Sequence, residues 1–276
     1  MQHPYIITIS SEKGGVGKTT LATNLAIYLK ALDEDLPVTL LSFDNHFSVD
    51  RMFRIGRKPH AGTVLDFLGG RPLGDLVEVG EFGVQYLPSN RHLAEFGDKL
   101  DGLDHLARCF ASANLPGVVI IDTRPVLDNF THNALFCADR VIIPVKDTPS
   151  LENSRHIYAF FDEHKISRRA LRLLPSLLDS RIHYDGPFKD SYQLLKAYAI
   201  NRGYRCLEGF IAKSPKVESL NTNPEGKLYP ILTHGRQTEV HLQFTHLARQ
   251  IYLDLLDCNE LRLDQLTPAA NAASAG

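Results

Sequence analysis

Short apolar runs alternate with stretches of helical periodicity from one end of the chain to the other. Residues 5–10, 38–43, 84–87, 118–121, 141–145, 171–178 and 207–211 read as strands. Several are unbroken Val/Ile/Leu runs, the pattern of parallel strands covered on both faces. Residues 18–32, 99–114, 151–164 and 192–201 carry apolar positions at helical spacing. This alternation predicts an α/β fold, a single doubly wound and mostly parallel sheet with helices on both faces. Ligand is expected beyond the C-terminal strand ends. No internal repeat and no linker rich in Pro, Gly or Ser divides the chain. Residues 1–266 are therefore read as one domain, and the small, polar residues 267–276 as a disordered tail.

Composition narrows the classes. The chain has 276 residues, 43% of them hydrophobic, enough for a sizeable core. Its formal charge of −2 gives no global field for nucleic acid or anionic lipid, so any such contact needs a local patch. Cys109, Cys137, Cys206 and Cys258 form no CxxC pair, which argues against zinc or an iron–sulfur cluster and fits a reducing compartment. The first nine residues read as a strand rather than a signal peptide, and no run of about 18 apolar residues occurs. A cytoplasmic protein is expected.

The chemistry concentrates after the first strand, in Ser11-Glu12-Lys13-Gly14-Gly15-Val16-Gly17-Lys18-Thr19-Thr20, ahead of a good helix. Glycines let the backbone curl so that successive N–H groups face an anion, and the helix N-terminus adds positive potential. Gly14, Gly15, Val16, Gly17 and Thr20 are thus expected around the phosphates of ATP. Lys18 is expected at the β- and γ-phosphates and the Thr19 hydroxyl on Mg²⁺. A ligand-free glycine turn would need neither Lys18 nor Thr19 in register. Phosphoryl transfer also needs a carboxylate near the attacking water and another near the metal. Asp44 and Asp122 each close a predicted strand, and Val118-Val119-Ile120-Ile121-Asp122 has the hydrophobic-run-then-acid form of a Walker B strand. Each could alternatively be a helix cap.

The standard phosphate loop has a glycine five residues before Gly17; here Glu12 stands there, followed by Lys13. This variant resembles the deviant Walker A motif, KGGxGKT, of the ParA/MinD family of P-loop ATPases. The resemblance implies that Lys13 reaches across a homodimer to the partner's nucleotide. It implies that Asp44 orients the hydrolytic water and that Asp122, in Asp122-Thr123-Arg124-Pro125, holds magnesium through water. The family's D-x-D-P-Q is here Ser42-Phe43-Asp44-Asn45-His46, so Ser42 replaces the first aspartate. Likeness continues through Asn133-Ala134-Leu135 and residues 138–145 and returns weakly over residues 239–256. Gly62-Thr63-Val64-Leu65-Asp66 and Leu87-Pro88-Ser89 look more like the MinD and flagellar-positioning branch.

Three functions compete on such a fold. The first is a ParA-like partition or positioning ATPase with slow basal turnover, whose ATP dimer grips DNA without reading sequence and answers to a ParB-like partner. Residues 165–236 hold 13 Lys/Arg against 6 Asp/Glu, the local excess such binding requires. By position, Arg181, Lys213 and Lys216 resemble the family's DNA contacts, and nucleoid association would follow; they could equally be ordinary solvated charges. The second is a MinD-like membrane cycler, disfavoured because residues 247–266 carry Asp254, Asp257, Glu260 and Asp264 against Arg249 and Arg262. The third, a metabolic enzyme on this fold, lacks a recognisable cluster or substrate site. Asp179 and Pro215 stand at plausible adenine-side positions, or are simply turn residues.

Overall fold

A computed structural model of the chain describes residues 2–44, 48–56, 60–222 and 226–266. Its strands are β1 (Tyr5–Ile9), β2 (Val38–Ser42), β3 (Glu78–Val79), β4 (Gln85–Leu87), β5 (Val118–Asp122), β6 (Arg140–Val145), β7 (Leu171–Leu178) and β8 (Ile211–Ala212). They form one sheet in the order β3-β4-β2-β5-β1-β6-β7-β8, every neighbouring pair parallel except β3 with β4. The helices are α1 (Lys18–Leu32), α2 (Ser48–Phe53), α3 (Val64–Leu68), α4 (Leu93–Phe96), α5 (His105–Ala113), α6 (Asn129–Phe136), α7 (Thr148–Glu163), α8 (Ser191–Asn201), α9 (Pro215–Ser219), α10 (Ile231–His234), α11 (Glu239–Leu256) and α12 (Arg262–Leu266).

Because successive strand side chains point to opposite faces, the continuous apolar runs feed two cores. Ile6, Val119, Ile121, Val141 and Ile143 pack with Phe110 of α5, Phe130 of α6, Phe161 of α7 and Leu195 of α8. Ile7, Ile9, Ile120 and Ile142 pack on the other face with Leu25 of α1 and Phe244 and Ile251 of α11. Each fully buried aliphatic or aromatic side chain contributes about 1.5–3 kcal/mol. The alternation also positions the site. β5 lies between β1 and β2, so Ile9, Asp122 and Ser42 pair in one row across the sheet. The chain after β1 leads to α1 on one face and the chain after β5 to α6 on the other, and such a divergence is where an open α/β sheet forms its ligand crevice.

Several elements differ from the sequence reading, each for a local reason. The strand expected over residues 207–211 shrinks to Ile211–Ala212. Leu207 N–H bonds Leu173 O, but Gly209 then takes φ +81° and interrupts the ladder. The helix expected from residue 99 starts at His105 because Gly102, at φ +86°, cannot continue a right-handed turn. α7 starts three residues before residue 151, on a capping box between Asp147 and Ser150. Residues 247–266, weighed above as a membrane-binding segment, are two helical pieces: α11 ends at Leu256 and α12 begins at Arg262. Leu247, Ile251 and Leu263 are buried, in accord with core packing. No helix among the described residues is long and apolar enough to cross a membrane. Asn45, His46 and residues 267–276 lie outside the described residues.

Candidate functional site

The glycine loop turns on two residues in the left-handed region, Gly15 at φ +68° and Gly17 at φ +88°. A side chain at either would be strained, and one at Gly17 would also meet the Leu177 side chain at 3.7 Å. Gly17 is the N-cap of α1 and offers no side-chain cap, and the first turn holds no acidic residue. The leading N–H groups of this 15-residue helix therefore open onto the loop, an anion-ready terminus.

Around that terminus the structure brings together residues far apart in sequence. Lys18 is buried, and its ammonium donates to the Ser11 and Lys13 carbonyls at 3.0 and 3.2 Å. Burial lowers its pKa, opposed by the charges of Asp122 and Asp44. The Thr19 hydroxyl donates to Asp122 Oδ2 at 2.7 Å, and Ser42 Oγ donates to the same oxygen at 3.2 Å. Ser42 Oγ in turn accepts the Asp44 N–H at 3.1 Å. Asp122 is wholly buried, and burial pushes its pKa up to about 7, with the Thr19 hydrogen bond opposing and Asp44 adding to the rise. Its second oxygen, Oδ1, is buried without a hydrogen-bond partner. A buried orphan carboxylate oxygen beside a threonine hydroxyl is a hard oxygen set that suits a magnesium ion and its waters.

Sequence reasoning missed what ties the loop to α7. Lys13 Nζ donates to Asp147 Oδ2 at 2.7 Å, Lys146 Nζ donates to Gly15 O at 3.3 Å, and Glu12 pairs with His156. The one legible signal was the cap sequence Asp147-Thr148-Pro149-Ser150. Ser89 Oγ likewise donates to Asp44 O at 2.6 Å, pinning the backbone that carries this aspartate.

Beside the loop, a small apolar cavity of about 40 Å³ is lined by Gly17, Thr20, Leu177, Ser214 and Val217 among others. Leu177 is the bulged residue between the paired Ser176 and Leu178 and sits at φ +56°, a strained conformation for a leucine. Neither Asp179 nor Pro215 lines this cavity. Asp179 instead makes a two-pronged ion pair with Arg181 at 2.8 and 2.7 Å, which holds its carboxyl down at about 2. Pro215 opens α9, which Ser214 caps. Lys213 and Lys216 are exposed, while Arg168, Lys196, Arg202 and Lys227 in the same basic segment are ion-paired.

Comparison with known proteins places this geometry. The family model described as AAA domain matches residues 4–168. The chromosome-partitioning ATPase Soj of Thermus thermophilus is 32% identical over 182 residues, covering 65% of this chain and 70% of Soj. The chromosome partitioning protein ParA of Caulobacter vibrioides is 31% identical over 150 residues, 51% of this chain and 55% of ParA, so the match spans only about half of that relative. Among solved structures, a putative plasmid partition protein of Borrelia burgdorferi bound to AMPPNP superposes with a TM-score of 0.70 at 22% identity, over 92% of this chain and all of that one. Cobyrinic acid a,c-diamide synthase of Mycobacterium smegmatis, with ADP and magnesium, gives 0.71 at 21% identity, over 95% and 98%. The fold is thus shared with a diamide synthase as well as a partition protein, and the sequence matches decide between them: the chain belongs to the ParA family of P-loop ATPases.

Proposed function

We propose that the protein is a dimer-forming switch that binds ATP with Mg²⁺, hydrolyses it to ADP and phosphate, and uses the cycle to partition or position DNA or another cargo. The observation that carries this reading is the Thr19–Asp122–Ser42 cluster set against the glycine loop, with the Lys13 ammonium held beside it on Asp147. N–H groups of Gly14, Gly15, Val16, Gly17 and Thr20 receive the phosphates. Lys18 exchanges its two carbonyl partners for β- and γ-phosphate oxygens. Thr19 and Asp122 would hold magnesium. Bound there, magnesium would neutralise charge developing on the phosphoryl group. Asp44 orients the attacking water, its backbone steadied by Ser89. The base lies against Leu177, Ser214 and Val217 rather than Asp179. AMPPNP, ADP and magnesium in the solved structures of similar fold support these assignments.

Lys13 leaves Asp147 and completes the partner's site, so nucleotide binding and dimerisation strengthen each other. The dimer doubles a basic surface that is weak singly. Lys213 and Lys216 carry that surface; Arg181, compensated by Asp179, adds little net charge. A ParB-like partner then accelerates hydrolysis. Lys13→Ala tests the scheme by light scattering. ATP-dependent dimerisation should vanish while the monomer keeps its nucleotide affinity, and a dimer that persists unchanged refutes the role across the interface.

A further inference from the structure

Arg124 stands two residues after Asp122, on the end of the sheet that carries the glycine loop. A two-residue span places its Cα within about 7 Å of that of Asp122. Its guanidinium contacts the Asp128 carboxylate through Nη2 and lies over the Phe130 ring, 5.3 Å from the centroid. Its Nε is buried with no hydrogen-bond partner. A guanidinium has five N–H donors in a fixed fork suited to phosphate, so one carboxylate oxygen leaves most of its capacity unspent. Asp128 is already engaged as the α6 N-cap, accepting the Thr131 N–H at 3.0 Å on its other oxygen. Phe130 packs against Phe43 with ring centroids 5.4 Å apart, and Phe43 precedes Asp44. One side chain therefore joins the α6 cap to the ring that packs on Phe43, the residue next to Asp44.

We propose that Arg124 distinguishes ATP from ADP. It rests on Asp128 when no γ-phosphate is present and transfers its guanidinium to the γ-phosphate oxygens when ATP fills the loop. The inference rests on the ATP-site reading above. As a structural pair only, Arg124 and Asp128 would give no preference between nucleotides.

Calorimetric titration of Mg²⁺·AMPPNP and Mg²⁺·ADP into wild type, Arg124→Ala, Arg124→Lys and Asp128→Asn separates these. Arg124→Ala should weaken AMPPNP binding at least tenfold and leave ADP within twofold, and Arg124→Lys should fall between. Asp128→Asn keeps a competent N-cap but removes the competing charge, so it should tighten AMPPNP severalfold with ADP unchanged. Retained ADP affinity reports that each variant is folded. Equal losses for both nucleotides, or no change in their ratio in any variant, overturn the assignment. Failure of the wild type to bind either nucleotide would instead overturn the ATP-site reading itself.

Discussion

Replacing Asp122 by Asn should stabilise the nucleotide-free protein at neutral pH while weakening its grip on magnesium nucleotide. The carboxyl is wholly buried, and its pKa rises from 3.8 to about 7. Between those values the folded protein binds more protons than the unfolded chain. Stability is therefore fully present below the unfolded pKa and falls as pH rises through the folded one. A shift of about three units at about 1.4 kcal/mol each gives a total loss near 4 kcal/mol, of which about 3 falls between pH 5 and 8. Asn cannot titrate, yet its carbonyl still accepts the Thr19 hydroxyl. Asp139, pushed up to about 6 by burial, has the same sign but is common to both proteins and cancels. Urea unfolding of both at pH 5, 6, 7 and 8 should show the variant gaining about 3 kcal/mol on wild type across that range. A difference that stays flat within about 1 kcal/mol would refute the reasoning.

Other parts of the site and fold are open to similar tests. Ser42→Asp restores the aspartate of the wider family but puts a second carboxylate where Ser42 Oγ now lies 3.2 Å from Asp122 Oδ2, so the apo protein should melt lower and recover disproportionately with Mg²⁺·AMPPNP; an unchanged apo melting point contradicts this. Asp44→Ala should leave nucleotide binding intact, cut phosphate release by at least about tenfold in single-turnover assays, and trap the ATP dimer. Normal turnover would mean another acid orients the water. Lys213→Ala with Lys216→Ala should make the salt dependence of DNA retention shallower by about two log units of slope, Arg181→Ala by less. An unaltered slope moves the interface elsewhere. Gly117→Ala combines φ +85° with a Cβ only 2.2 Å from the Pro37 carbonyl oxygen, and should cost more than about 2 kcal/mol by urea unfolding.

How far the fold could be read from sequence depended on burial and length. Val118–Asp122 and Arg140–Val145 are buried on both faces, so their apolar runs had no polar face to blur them. α1 was found to the residue, because a 15-residue buried helix between Gly17 and Asp33 carries both period and punctuation. α2 and α3 span six and five residues, too short to display a helical period, and β3 is two residues long. These stayed invisible. Residues 207–211 misled because an apolar run does not record the conformation of the glycine inside it.

The site divides differently. The loop from Gly14 to Thr20 was legible as a turn into α1 because its signal is local, two glycines at positive φ followed directly by the helix start. The polar groups that set the electrical state of the site were not. Lys13 and Asp147 are 134 residues apart, Ser42 and Asp122 are 80 apart, and no spacing rule joins them. This bears on why a serine can stand at Ser42. With Asp122 already buried and its Oδ1 unpartnered, a second carboxylate there would have to share one proton with it or wait for the metal. A hydroxyl donates to Asp122 and accepts from the Asp44 backbone, which couples the two aspartates without adding charge. The substitution thus moves the site from an arrangement that needs magnesium for electrical balance toward one that is tolerable without it.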